Sequence, residues 1–193
     1  SDVLIVSSGA TANATNIVSF TAGAGSSNSS GTVNLTTQTG GGTINMNAAS
    51  GNYKINGQGG VDSLTGGGGA DIINGGANAD NISGGNGDDV LSGGADNDSL
   101  TGGAGTDTFK VDVGTDTITD LGGASGGETD VLIVSAGATA NATNITSFTA
   151  DSSTSNSGTA NLTTKVGGGT IDIGNSTTGA YSLTGLSGND TLK

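Results

Sequence analysis

Seven aspartates, Asp62, Asp71, Asp80, Asp89, Asp98, Asp107 and Asp116, follow one another at nine-residue intervals without a slip. Two residues after each stands an apolar residue: Leu64, Ile73, Ile82, Leu91, Leu100, Phe109 and Ile118. A Gly-Gly pair precedes most of them, as in GGGGADIIN at Gly66, GGNGDDVLS at Gly84 and GGAGTDTFK at Gly102. Each nonapeptide divides into a six-residue Gly-rich turn and a three-residue strand with one inward apolar side chain. One buried Leu or Ile stabilises by roughly 1.5–3 kcal/mol, too little for an isolated turn. Stacked turns join these single residues into continuous apolar ladders, and the period therefore predicts a solenoid.

With two nonapeptides to a coil, residues 18 apart lie above one another, about 4.8 Å apart. That spacing brings Asp62 over Asp80, Asp71 over Asp89, Asp80 over Asp98, Asp89 over Asp107 and Asp98 over Asp116. Like charges stacked this closely repel, and a cation between coils turns the defect into a stabilising element. Carboxylate oxygens and turn carbonyls suit Ca²⁺, whereas Mg²⁺ demands a tighter octahedron and keeps its water. The expectation is about five Ca²⁺ sites, which would take the formal charge from −13 to about −3.

The rest of the composition removes competing chemistry. The chain of 193 residues has no Arg, His, Cys, Pro or Trp. Without His or Cys there is no nucleophile–imidazole pair, no thiol redox couple and no usual zinc site. Without Arg, and with so negative a charge, nucleic acid and anionic membrane are poor partners. The longest apolar run, Val3 to Val6, is too short to span a bilayer, so membrane insertion is not expected. With 3% aromatic residues there are no platforms for sugar chemistry, and an enzyme is not expected.

A second, longer repeat encloses the first. DVLIVSSGATANATNIVSFTA at 2–22 returns as DVLIVSAGATANATNITSFTA at 130–150, with 19 of 21 positions identical at an offset of 128. GTVNLTTQTGGGTI at Gly31 returns as GTANLTTKVGGGTI at Gly158, and GNYKINGQGGVDSLT at Gly51 returns as GAYSLTGLSGNDTLK at Gly179. The chain thus reads as an all-β segment 1–56, an Asp-ladder block 57–120, a second copy of the β segment 121–184, and the start of a second block at 185–193. Segments 1–56 and 121–184 carry short strand signals but no Asp ladder. They fit either a calcium-free continuation of the solenoid or a small β-sandwich cap with a loop-rich joint at 23–31. Tyr53 and Tyr181, at equivalent positions, are expected to close an end of the apolar ladder.

The block 57–119 resembles the RTX (repeats-in-toxin) calcium-binding nonapeptide β-roll family, whose motif G-G-x-G-x-D-x-U-x has U apolar. The resemblance implies a parallel β-roll with calcium between turns 18 residues apart. It also implies the ligands: each turn's Asp, with carbonyls at positions two and four of one turn and one and three of the next. One site would join Gly67, Gly69 and Asp71 with Gly84, Asn86 and Asp89. A second would join Gly85, Gly87 and Asp89 with Gly102, Ala104 and Asp107. A third would join Gly76, Asn78 and Asp80 with Gly93, Ala95 and Asp98. Gln58, Asn78 and Asp96 replace motif glycines, and Val111 and Asp112 replace the opening pair of the last repeat. The end sites, Asp62 with Asp80 and Asp98 with Asp116, depart furthest from the motif. Asp88, Asp96, Asp112 and Asp120 read as solubilising or outer residues rather than ligands.

Near-identical units with identical ends suit head-to-tail or lateral assembly of copies of the chain. The functional expectation is a secreted, calcium-stiffened structural protein of a bacterial fibre, adhesin stalk or surface layer. The resemblance implies that it folds outside the cell, where calcium is plentiful. The rival is the carrier module of a secreted protease, lipase or polysaccharide epimerase. A surface glycan is the partner that Thr- and Asn-rich faces would suit.

Overall fold

A computed structural model describes residues 4–122, 128–176 and 179–193. Its described residues form strands and turns with no helix, and every strand pairing is parallel. The chain is a β-solenoid of about nine turns. Two long sheets face each other across the core. The first, of nine strands, runs in space from Ala180–Thr184 through Thr159–Thr164, Thr139–Ile145, Thr115–Ile118, Ser99–Ala104, Asn81–Asn86, Ser63–Thr65 and Thr43–Asn45 to Ser19–Thr21. The second, of eight, runs from Ser155–Asn156 through Val131–Val134, Thr108–Val111, Val90–Ala95, Ile72–Ala77, Lys54–Asn56 and Thr32–Thr37 to Thr11–Ile17. Most strands of 1–56 and 121–184 lie in these same two sheets, while Ile5–Val6 and Ser27–Asn28 form a two-stranded sheet and Ser147–Thr149, Thr170–Asp172 and Thr191–Leu192 a three-stranded one. The solenoid path, rather than a separate sandwich cap, thus passes through all of them.

The inward residues stack as the nine-residue period predicts. Leu64, Ile82, Leu100 and Ile118 pair in succession in the first sheet, and Ile55, Ile73, Leu91, Phe109 and Leu132 in the second. All are at most 2% exposed, so two files of single side chains form one continuous core. Coil length varies along it. Register steps are 18 residues within the block, as in Ile82 with Leu100. They are longer outside: Ser19 pairs with Thr43, Thr11 with Thr32 and Thr115 with Thr139.

Counterparts in the 128-residue repeat lie on different walls of the solenoid. Thr11–Ile17 and Thr32–Thr37 belong to the eight-stranded sheet, whereas Thr139–Ile145 and Thr159–Thr164 belong to the nine-stranded one. Ser19–Thr21 lies in the nine-stranded sheet and its counterpart Ser147–Thr149 in the three-stranded one, while Ile5–Val6 lies in the two-stranded sheet and its counterpart Val131–Val134 in the eight-stranded one.

Glycine is required where turns stack. Gly103 has φ +113°, and a Cβ there would lie 2.0 Å from the Gly85 carbonyl oxygen of the coil below. Gly137 also has positive φ, +83°, but a Cβ there meets nothing within 4 Å. Gln58, Asn78 and Asp96, which replace motif glycines, keep the left-handed conformation, with φ of 65°, 73° and 80°. Asn and Asp tolerate it best among non-glycine residues. Gly137→Ala is therefore expected to cost only the conformational penalty, roughly 1–2 kcal/mol. Gly103→Ala adds a backbone collision and should cost at least about twice as much. Thermal unfolding of both variants in saturating calcium measures the difference, and equal losses would disprove the close stacking of the turns.

Candidate metal centre

The turns deliver the seven ladder aspartates into two files, one along each edge of the solenoid. Each strand fixes its Asp because the apolar residue two positions on must enter the core, which turns the Asp inward at the start of the strand. Every one of the seven is at most 3% exposed. One oxygen of each carboxylate ties the coils together. Asp80 Oδ1 accepts the Asp62 N–H at 2.8 Å, Asp98 Oδ1 that of Asp80 at 2.8 Å, and Asp116 Oδ1 that of Asp98 at 3.1 Å. On the other edge Asp71 Oδ1 accepts the Tyr53 N–H at 2.7 Å, Asp89 Oδ1 that of Asp71 at 2.7 Å, and Asp107 Oδ1 that of Asp89 at 2.9 Å.

The second oxygen is different. Oδ2 of Asp62, Asp80, Asp89, Asp98 and Asp116 is buried with no hydrogen-bond partner, while Asp71 Oδ2 accepts the Gly67 N–H at 2.8 Å. These oxygens occupy the space that a side chain on the first glycine of each repeat would fill. A Cβ on Gly84 would lie 2.2 Å from Asp89 Oδ2 and 2.6 Å from the Gly102 carbonyl oxygen. One on Gly66 would meet Asp71 Oδ2 and the Gly84 carbonyl, and one on Gly75 would meet Asp80 Oδ2 and the Gly93 carbonyl. The first-position carbonyls expected as ligands, those of Gly84, Gly93 and Gly102, thus share a confined space with the carboxylate of the preceding turn.

Other expected carbonyl ligands are engaged in coil-to-coil pairing. Gly67 O accepts the Asn86 N–H at 2.8 Å, Asn86 O accepts that of Gly69 at 2.7 Å, and Ala104 O accepts that of Gly87 at 2.7 Å. Gly85 pairs with Gly103, and Gly76 and Ala77 pair with Gly94 and Ala95. A carbonyl has a second lone pair, so this pairing leaves it able to ligate. The Asn78 N–H donates to Asp96 Oδ2 at 3.2 Å. Among the described residues no group of three or more acidic side chains converges on one point. Any cation here is therefore held by carboxylate and carbonyl oxygens together. Buried anionic oxygens without partners, glycines whose side-chain space those oxygens fill, and an all-oxygen donor set fit Ca²⁺, and Asp62, Asp71, Asp80, Asp89, Asp98, Asp107 and Asp116 would hold it.

The electrostatics of the metal-free ladder point the same way. Burial pushes the Asp71 and Asp80 carboxyls up to about 6, that of Asp89 to about 8, and those of Asp107 and Asp116 to about 7. Neighbouring ladder carboxylates add to the rise: Asp71 and Asp107 act on Asp89, and Asp98 acts on Asp116. Burial also raises Asp62 and Asp98.

Some residues of the ladder were not evident at nine-residue spacing. Asp130, 1% exposed, extends one file: its Oδ1 accepts the Asp107 N–H at 2.9 Å and its Oδ2 the Gly122 N–H at 2.7 Å. Asp190 Oδ1 accepts the Gly169 N–H at 3.1 Å, as Asp62 Oδ1 accepts that of Gly42 at 2.6 Å. Both keep an apolar residue two positions on, Leu132 and Leu192, which is the signal that remains when coil length changes. Asp120 caps the end of the block by accepting the N–H groups of Gly102 and Gly103 at 2.9 and 2.8 Å. Asp88 Oδ1 accepts the Thr106 N–H, and Asp112 accepts from the hydroxyls of Ser92 and Ser135. Tyr53 takes the place of a ladder Asp at the end of its file, buried, with its hydroxyl donating to Ser50 O at 2.8 Å. Tyr181 is only partly buried.

The fold and the ladder define a class: a parallel β-solenoid whose stacked turns present paired, buried carboxylates to a hard cation. Residues 56–91 and 83–118 both match the family model of the RTX calcium-binding nonapeptide repeat (4 copies). About a third of the chain thus consists of RTX repeats, and the protein is a calcium-binding repeat protein with a β-roll fold. No curated protein and no solved structure matches the chain.

Two outcomes follow from this geometry. Asp89→Asn keeps an oxygen for the Asp71 N–H but removes a charge from two neighbouring positions in the ladder. The calcium concentration needed for folding should rise by about tenfold or more, whereas Asp88→Asn should leave it nearly unchanged. Circular dichroism during calcium titration reads both, and equal shifts would sink the ladder assignment. The pH dependence in chelator has a definite sign. The folded pKa values lie above the ordinary 3.8, so between about pH 4 and pH 8 the folded state holds protons that the unfolded state has released. Metal-free stability is then greatest at the acid end and falls as pH rises through 6 to 8. The unfolding midpoint in chelator is expected to be higher at pH 5 than at pH 8, and the reverse order would mean that the carboxylates are not desolvated.

Proposed function

We propose that this chain is a non-enzymatic structural segment of an extracellular bacterial fibre, adhesin stalk or surface layer, which calcium folds and stiffens after secretion. The observation that carries this reading is the continuity of the two sheets. They run through the first β segment, the RTX block and the second β segment as one core, so the block is a section of a rod rather than a separate appendage. RTX repeats occur in secreted bacterial proteins. Among the described residues no helix is long and apolar enough to cross a membrane. Calcium between turns would replace repulsion within each carboxylate file by attraction, so stiffness would depend on the calcium of the surroundings. Copies of the chain are the expected partners, through head-to-tail or lateral contacts.

Electron microscopy of the protein in millimolar calcium, beside a chelated sample, tests the proposal. Ordered fibres or sheets that disappear on chelation are the expected result. Separate compact particles in calcium, with no assembly at any concentration, would instead favour the carrier module of a secreted enzyme.

A further inference from the structure

Residues 4–22 and their near-copy 132–150 differ in what lies against them. In the second copy Leu132, Ala140, Ala142, Ile145, Phe148 and Leu162 are each at most 1% exposed. Leu132, Ala140 and Ala142 rest on the closing coil of the calcium block. Phe109 and Val111 pair with Leu132 and Val134, and Asp116 and Ile118 pair with Ala140 and Ala142. The Val131 N–H donates to Asp107 O at 2.7 Å and the Thr139 N–H to Gly114 O at 2.9 Å. In the first copy the counterparts Leu4, Ala12, Ala14, Ile17, Phe20 and Leu35 line an apolar cavity of about 410 Å³. Thr11–Ile17 and Ser19–Thr21 are the terminal strands of their sheets.

We propose that this apolar end is an acceptor for the closing coil of a calcium block, the sequence TFKVDVGTDTITDL of 108–121, supplied by another copy of the 128-residue unit joined ahead of this one. Eight of the nine residues lining the cavity are identical in the two copies, Val18 against Thr146 being the exception, so the surface that covers one fits the other. The register is that of the internal joint: the counterparts of Phe109 and Ile118 lie against Leu4 and Ala14. A sheet edge with no strand beside it is a template for another strand, and here the pairing strand is the one the same sequence already chooses. Asp130 receives the Asp107 N–H at the internal joint; its counterpart Asp2 lies outside the described residues. The joint is needed by any array of these units, whether fibre or carrier, and so does not rest on the function proposed above.

An extended chain with residues 57–128 repeated ahead of residue 1 preserves the natural spacing, because Ser1 and Asp2 stand where Thr129 and Asp130 stand in the second copy. Hydrogen–deuterium exchange in saturating calcium reads the joint. Amides of 4–20 are expected to exchange on the order of tenfold or more slowly in the extended chain than in the 193-residue chain. A second reading uses Phe20→Ser and Phe148→Ser. In the 193-residue chain Phe20→Ser should lower the unfolding midpoint much less than Phe148→Ser, and in the extended chain the two losses should converge. Unchanged exchange at 4–20, in an extended chain whose added block takes up calcium, would overturn the proposal. Protection of 4–20 that grows with concentration in the 193-residue chain alone would also overturn it, by assigning this end to a second whole copy.

Discussion

Carboxylates buried in file are the constraint on which the rest of the structure depends. Backbone pairing between turns 18 residues apart places each ladder Asp directly over another. The same pairing supplies one N–H to each carboxylate and leaves five second oxygens buried without a partner. Removing an ionised carboxylate from water costs several kcal/mol even after relaxation. A half-coil contributes one buried Leu, Ile or Phe, worth roughly 1.5–3 kcal/mol, so the apolar ladder alone cannot offset it. A divalent cation reverses the sign of the electrostatic contribution, and the fold of the block becomes conditional on it.

The flanking coils solve the same stacking problem with different chemistry. Their inward positions carry Ala140, Ala142, Leu162 and Ile171, and their outward positions carry Asn and Thr. Asn34 Nδ2 donates to Asn13 Oδ1 at 2.5 Å and Asn161 Nδ2 to Asn141 Oδ1 at 2.8 Å, so neutral amides stack where the block stacks charges. Among the described residues of these segments the fully buried carboxylate returns at Asp130, where the second flank meets the block. The rod thus alternates sections that need an ion with sections that hold by neutral pairing.

Much of this was legible in the sequence because the period is short and every position in it has one physical task. The Asp and the apolar residue two places on specify the coil length of the block, the two files and the core. The flanks were harder to read, because their coils vary in length and a fixed period finds no register there. Asp130 shows the point: its D-x-Leu pattern is intact, but the wide step to Asp107 hides it from a search at nines. The pairing of Gly67, Asn86 and Ala104 carbonyls across coils was equally hidden, since glycine-rich turns carry no alternation from which strand pairing can be read.

The 128-residue unit turns its own surface as it repeats. A coil is left unfinished at the end of the unit, so Thr139–Ile145, the second copy of Thr11–Ile17, looks out through another wall of the solenoid. At about 4.8 Å per coil the unit advances about 31 Å. Apart from any twist the sheets accumulate, an array of identical units would then be a screw, in phase with itself only after more than one unit. A single sequence would give such a rod the same surface on more than one side, and whatever adheres to one side would find it again, further along, on another.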